Sequence, residues 1–249
     1  MSSVETRGWF AREFFPKVRA FVLLGFWFGS IAFVAPFLIA FFLIFGRENI
    51  IYSPVRLFVR AGLALAGVKV EISGVEQLDP KQAYIFTPNH QSFIEVPLLI
   101  AFLDWNPAFL AKKEVFKYPI FGYGIGLVGV VPVDRSNSQS AVESARKATE
   151  NLRRGKSYIV YPEGTRSPDG RLQPFKKGAF LMALDAGVPV VPISISGATE
   201  VMPKATFKVF PETVRVTVHP PIPTADLKKE NVAELVKAAR DRIAATLEG

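Results

Sequence analysis

The sequence predicts an α/β fold: a mixed, mostly parallel sheet flanked by helices, with an N-terminal membrane-embedded helical hairpin. Three observations predict it. From Lys69 onward short apolar strands alternate with helical stretches, the pattern of βα units. Ala20 to Gly46 runs 27 residues without a charge. After a polar break, Gly46-Arg47-Glu48-Asn49, a second apolar stretch runs from Ile50 to Val68. Residues 1–65 are therefore expected to anchor the chain, and residues 66–249 to form the α/β domain.

The N-terminal part mixes Arg7, Arg12, Lys17 and Arg19 with Trp9, Phe10, Phe14 and Phe15, a composition suited to a membrane interface. At 1.5 Å per residue the uncharged run reaches about 40 Å, more than the roughly 30 Å of bilayer hydrocarbon. It is too long for a secretory signal peptide, and no small-residue cleavage site follows it. One transmembrane helix fits the length. Three features fit it less well. Pro36 should kink the run. The second apolar stretch carries Arg56 and Arg60. Both flanks of the first are basic, so loop charge sets no direction. A hairpin that enters one leaflet and returns satisfies all three, as do two short helices lying partly in the interface. We place the hairpin ahead of a single span.

Beyond the hairpin, strands are expected at Val68–Ile72 and Tyr84–Thr87, and a helix from Ser92 to about Leu103. Strands follow at Ala108–Ala111 and Val130–Val133. Ser138–Arg153 reads as a helix, with Glu143 and Lys147 one turn apart and Gly155 as its stop. Tyr158–Tyr161 is a strand, and Phe175–Asp185 a helix ending at Gly187. In the strand Val188–Ser196, Pro189 and Pro192 suit a sheet edge or a strand end. Thr213–His219 alternates as a strand does. Asn231–Leu247 is an amphipathic helix with Val232, Leu235, Val236, Ala239, Ile243 and Leu247 on one side.

Composition removes several kinds of chemistry. With no cysteine there is no disulfide, no thiolate zinc site and no cysteine nucleophile. His90 and His219 are the two histidines; they lie far apart without H-x-x-x-H spacing, so no metal site is expected. A net charge of +8 points to an anionic partner. There are 22 phenylalanines, but no lysine-rich tract or RNA-binding aromatic signature, which favours an anionic membrane surface over nucleic acid. Gly124-Ile125-Gly126-Leu127-Val128-Gly129 matches G-x-G-x-x-G, but it precedes a strand, whereas dinucleotide binding needs it to follow one. Neither Ser194 nor Ser196 lies in a G-x-S-x-G elbow.

The densest chemistry lies in Pro88-Asn89-His90-Gln91-Ser92-Phe93-Ile94-Glu95-Val96-Pro97. A histidine and a carboxylate five residues apart do not share a helix face. They can meet if His90 lies in a turn and Glu95 in the first turn of the following helix. Ser92-x-x-Glu95 ahead of an apolar run is also a capping-box pattern, so Glu95 reads equally as a helix cap. Two further segments end strands with charge. Val131-Pro132-Val133-Asp134-Arg135 reads by itself as a surface turn. Tyr161-Pro162-Glu163-Gly164-Thr165-Arg166 clusters an acid, a hydroxyl and a guanidinium suited to phosphate, or forms a turn closed by Glu163 and Arg166. Lys112-Lys113 also follows a strand and can meet an anion.

These segments together resemble the phospholipid/glycerol acyltransferase family, most closely its bacterial 1-acylglycerol-3-phosphate acyltransferases. The resemblance lies in Asn89-His90 with Glu95, in Gly129-Val130-Val131-Pro132-Val133-Asp134-Arg135, in Tyr161-Pro162-Glu163-Gly164-Thr165-Arg166 and in Gly187-Val188-Pro189-Val190-Val191-Pro192-Ile193. Phe109-Leu110-Ala111-Lys112-Lys113-Glu114 is similar to a further basic block, and the blocks span roughly residues 66–200. The family usually has aspartate where this chain has Glu95.

The resemblance implies a membrane-bound O-acyltransferase with His90 as general base and Glu95 as its carboxylate partner. Lys112, Arg135, Glu163, Gly164, Thr165 and Arg166 would then bind the acceptor. It implies an acyl thioester donor, on coenzyme A or acyl carrier protein, and no cofactor or metal. The acceptor would be lysophosphatidic acid and the product phosphatidic acid. Such a domain would face the cytoplasm from the inner membrane. Glu95 leaves other acceptors open: glycerol 3-phosphate, a lyso-ornithine lipid or another lysophospholipid. A phospholipid-dependent transacylase is a further reading. An inactive membrane-binding protein is the reading of another class, against which the retained His90, Glu95 and Glu163–Arg166 argue.

Overall fold

The computed structural model describes residues 10–134, 137–167 and 169–248. A π-helical turn, Phe10–Phe14, leads into helix α1, Phe15–Phe45. Pro16 lies in its first turn, where an absent N–H is harmless, and the helix continues through Pro36. It ends at Gly46, whose φ of 64° turns the chain while its N–H bonds Phe42 O at 2.7 Å. Helix α2, Asn49–Leu65, packs back on α1. The contact is close: a Cβ at Gly62 would lie 2.2 Å from Nε1 of Trp27, and that indole donates to Phe58 O at 3.3 Å. The expected helical hairpin is therefore present as a packed pair. Arg12–Phe45 is long and apolar enough to cross a bilayer by length and composition.

The α/β part runs β1 Lys69–Ser73, β2 Ile85–Pro88, α3 Glu95–Phe102, β3 Ala108–Lys112, α4 Pro119–Leu127, β4 Val131–Val133 and α5 Ser138–Arg153. It continues β5 Tyr158–Ile159, α6 Gly178–Ala186, β6 Val190–Ser196, α7 Ala198–Val201, β7 Thr213–Val218 and α8 Val232–Glu248. The sheet order is β1-β7-β6-β2-β5-β3-β4. Every neighbouring pair is parallel except β6–β7, as a mixed, mostly parallel sheet requires.

Alternation along the strands builds two cores. On one face Phe86, Ile193 and Val216 pack with Leu98 of α3 and with Leu23 and Leu63 of the hairpin. On the other, Ile85, Tyr158 and Val190 pack with Leu152 of α5, Phe180 of α6 and Leu235 of α8. The hairpin thus covers one face of the sheet.

The expectation for Pro189 and Pro192, a sheet edge or a strand end, divides: β6 is no edge, since it pairs with β2 on one side and β7 on the other, and the strand-end alternative holds for Pro189. Pro189 precedes the strand and offers only its carbonyl, to Ile85 N at 3.1 Å. Pro192 accepts from His219 N at 3.0 Å, so its missing N–H falls just past the end of β7 and costs the ladder one terminal bond.

Candidate active site

β2, β5, β3 and β4 run in one direction, so the loops leaving their carboxyl ends share one edge of the sheet, where open α/β sheets bind ligands. His90 follows β2, Tyr161–Arg166 follows β5, Lys112 ends β3, and Asp134 follows β4. An open cleft lined by Glu48, Gly129, Asn151, Arg154 and Lys156 lies instead by the amino ends of β4 and β5, away from this edge.

The loop carrying His90 is held by buried polar groups. The fully buried Asn89 donates from Nδ2 to Ile195 O at 2.9 Å and accepts at Oδ1 from Ile195 N at 2.7 Å. Its amide therefore extends the β2–β6 pairing by one rung of side-chain bonds. Glu163 braces the next residue. Its Oε1 accepts from His90 N at 2.6 Å and its Oε2 from Gln173 N at 3.1 Å, while His90 O accepts from Ser167 N at 2.7 Å. Burial, and then the charge of Glu95, push the Glu163 carboxyl up to about 6 against those two amide bonds.

His90 Nδ1 lies 2.7 Å from Oε2 of Glu95, which is fully buried. The other carboxylate oxygen accepts from the backbone N–H groups of Gln91 at 2.9 Å and Ser92 at 2.8 Å. Both contacts open to Glu95 are thus made by one side chain: one oxygen caps the turn and the other holds the imidazole. The capping is one-sided, because Ser92 Oγ donates to Met202 O at 2.9 Å instead of completing the box. The helix accordingly starts at Glu95, three residues later than the pattern suggested. Burial raises the Glu95 carboxyl above its ordinary value, opposed by His90 and the two amides. With Glu95 as carboxylate, Nδ1 is the donor, and Nε2 of neutral His90 is a lone-pair base.

The far end of α3 is held by the hairpin. Arg56 donates to Ile100 O at 3.4 Å and Leu103 O at 2.8 Å, and Arg60 to Ala101 O at 3.0 Å. Ile100 and Ala101 carry carbonyls that a helix C-terminus leaves unpaired, Leu103 lies just past the end, and a guanidinium there also suits the helix dipole. The two arginines of this apolar stretch thus cap the helix that carries Glu95.

The remaining anticipated residues fall in different places. Gly164 has φ 75°, and a Cβ on it would lie 2.9 Å from Nζ of Lys176. Thr165 is exposed and Arg166 half-buried, with Arg166 O accepting from Lys204 Nζ at 3.3 Å. Lys112 is exposed and paired with Glu114 at 3.9 Å, while Lys113 takes Asp134 at 2.5 Å. Arg135 lies outside the described residues. Direct bonds therefore join His90, Glu95 and Glu163; Lys112 and Arg166 share the sheet edge without bonding to them. Among the described residues no group of His, Cys, Asp or Glu has the makings of a metal site.

Three contributors were missed from sequence: Tyr161, stacked on His90, and Lys176 and Lys204 beside the 163–166 turn. Tyr161 lies in the segment Tyr161–Arg166, but nothing in its spacing relates it to a ring 71 residues earlier.

A loop histidine tied to a buried carboxylate at the carboxyl end of a parallel strand is an arrangement able to transfer a proton. The acyltransferase family model matches residues 69–196, which contain that loop and strands β1 to β6, and the chain belongs to this family. Its relatives include the 1-acyl-sn-glycerol-3-phosphate acyltransferase BAT2, chloroplastic, of Brassica napus, 38% identical over 183 residues that cover 72% of this chain. The chain spans 51% of that protein's length. The 1-acyl-sn-glycerol-3-phosphate acyltransferase alpha of Homo sapiens is 30% identical over 226 residues, 90% of this chain and 80% of that one. Among solved structures, the 1-acyl-sn-glycerophosphate acyltransferase PlsC of Thermotoga maritima superposes with a TM-score of 0.83 at 27% identity, covering 94% of this chain and 95% of that one.

Proposed function

We propose that this chain transfers a fatty acyl group from an acyl thioester to the sn-2 hydroxyl of 1-acylglycerol 3-phosphate, giving phosphatidic acid for phospholipid synthesis. The observation that carries the reading is the 2.7 Å contact of His90 Nδ1 with buried Glu95, which leaves Nε2 to act as base. Nε2 takes the acceptor's hydroxyl proton as that oxygen attacks the thioester carbonyl. The C–S bond then breaks, and the imidazolium returns its proton to the departing thiolate. Glu95 fixes the tautomer and stabilises the imidazolium. The acceptor oxygen is the nucleophile, so no protein serine or cysteine is needed, and no cofactor enters.

In this reading Arg166 binds the acceptor phosphate, with Lys112 and Arg135 contributing. Lys176 and Lys204 add positive charge beside Glu163–Arg166. Glu163 acts through the backbone of His90, and Gly164 keeps the turn compact under Lys176. The donor is coenzyme A or acyl carrier protein. Those carriers are cytosolic, so the domain would sit on the cytoplasmic face of the inner membrane, with residues 1–65 as anchor. The exposed apolar side chains of α1, among them Phe21, Phe33 and Phe37, support that anchoring.

The longer side chain of Glu95, where aspartate is usual, favours a second reading in which the same chemistry serves another lysolipid. Thioester consumption by the full chain, measured across lysophosphatidic acid, glycerol 3-phosphate, lyso-ornithine lipid and other lysophospholipids, tests both. Turnover confined to lysophosphatidic acid supports the first, and turnover with none of them sinks acyl transfer from a thioester.

A further inference from the structure

Helix α4, Pro119–Leu127, has no part in this chemistry, and its composition is unusual for a surface helix. Its sequence, PIFGYGIGL, contains no charged or amide side chain, and Gly122 is its one buried residue. Tyr118 just before it is 67% exposed, Ile120 40% and Tyr123 53%. A helix apolar on every side is normally buried in protein or in lipid, and this one is not buried in protein.

The helix is nonetheless firmly placed. A Cβ at Gly122 would lie 2.5 Å from Phe116 O, so its backbone rests directly on the 3₁₀ turn Lys113–Lys117. Gly124 faces Ile39 of α1, where a Cβ would meet Cδ1 at 3.4 Å. α4 thus lies beside α1, on which Phe33, Phe37, Phe41 and Ile44 are exposed. The segment leading into it carries Lys112, Lys113 and Lys117, all exposed. Tyrosines beside apolar residues, with lysines behind them, form the pattern of a helix lying at a bilayer surface.

We propose that α4 is a third membrane-contacting element, lying in the boundary between headgroups and acyl chains of an anionic bilayer. The inference rests on the membrane reading of the hairpin and extends it into the α/β domain. It sets Lys112, at the carboxyl end of β3, at headgroup level, so that the substrate crevice opens onto the lipid surface from which its acceptor comes.

The absence of cysteine makes a site-specific test direct, because each introduced cysteine carries the only label. Phe37→Cys on α1, Ile120→Cys on α4 and Val142→Cys on α5 are labelled with a polarity-sensitive fluorophore. Each full-length protein is reconstituted into phosphatidylcholine–phosphatidylglycerol vesicles containing spin-labelled acyl chains. The expected result is blue-shifted, quenched emission at 37 and 120, and neither effect at 142. Quenching at 37 but not at 120 overturns the inference and leaves the anchor standing. Quenching at neither defeats the anchor reading itself. A blue shift at 120 without quenching means protein covers the helix, and equal quenching at all three positions means non-specific adsorption; either overturns the proposal. As a second measure, Ile120→Glu should weaken partitioning onto the same vesicles while leaving thermal stability unchanged. Undiminished partitioning counts against it.

Discussion

The imidazole of His90 lies against the ring of Tyr161, with 3.9 Å between centroids and 30° between planes. Among the described residues the buried hydroxyl of Tyr161 has no hydrogen-bond partner. The two ends of this side chain therefore act in opposite senses. The ring face packs the imidazole and attracts its cationic form, while the hydroxyl gains no bond from the described protein groups around it. Tyr161→Phe should raise stability by about 1 kcal/mol and keep turnover near wild type. Tyr161→Leu should lower kcat by up to about thirtyfold, the equivalent of a cation–π term near 2 kcal/mol, with KM little changed. Denaturant titration and steady-state kinetics check both; equal losses in the two variants would show that the hydroxyl matters.

Glu95→Gln separates the two functions of Glu95. Its carbonyl oxygen can still accept from Gln91 and Ser92, so the thermal midpoint should stay close to wild type. Its amide, however, would face Nδ1 with N–H groups, force the other tautomer and leave no base at Nε2. Turnover should fall on the order of 10³–10⁴-fold. Surviving activity would reduce Glu95 to a cap.

Glu163 predicts a pH dependence of folding. Its folded pKa, about 6, lies above the ordinary 4.5. The folded state therefore holds the extra proton between those values, and the contribution is full below 4.5 and lost as pH rises through about 6. Glu163→Gln should remove that component. The stability difference between wild type and variant, followed by denaturant midpoint across the window, should tilt toward the variant as pH rises. A difference independent of pH would refute the assignment.

Arg56→Ala removes the larger part of the cap that the hairpin places on α3, leaving the Arg60 bond to Ala101 O. Two hydrogen bonds from a guanidinium are lost, and stability should fall by about 1.5–3 kcal/mol. Because α3 begins at Glu95, turnover should fall with it. Unchanged stability would mean that the two Arg56 bonds do not brace α3.

Arg166→Ala should raise KM for the acceptor several-fold and leave KM for the thioester nearly unchanged. Initial rates with each substrate varied in turn decide this, and the reverse pattern would assign Arg166 to the donor.

Much of this protein was legible in one dimension because it is written in local patterns. Strand and helix periodicity gave the α/β class, and Asn137 caps α5 one residue before the expected start at Ser138. The His90–Glu95 pair was visible because five residues can close a turn. Boundaries slipped where a tertiary bond competed with a local one: Ser92 donates to Met202 instead of capping, and α3 starts later.

By itself, then, the sequence determined the element types, the uncharged length of the first helix, the absence of thiol chemistry and the dyad. Only the tertiary structure decided what surrounds that dyad. Asn89 with Ile195, Glu163 with the backbone of His90, and Tyr161 against its ring pair residues 106, 73 and 71 positions apart. Strand order brings them together, and no local periodicity encodes it. Arg56 and Pro192 make the same point. A guanidinium in an apolar helix and a proline in a sheet interior look like conflicts until the partner groups are in place. Hydrogen-bond satisfaction depends on what the fold puts opposite each group, and a sequence read locally contains only one side of each such pair.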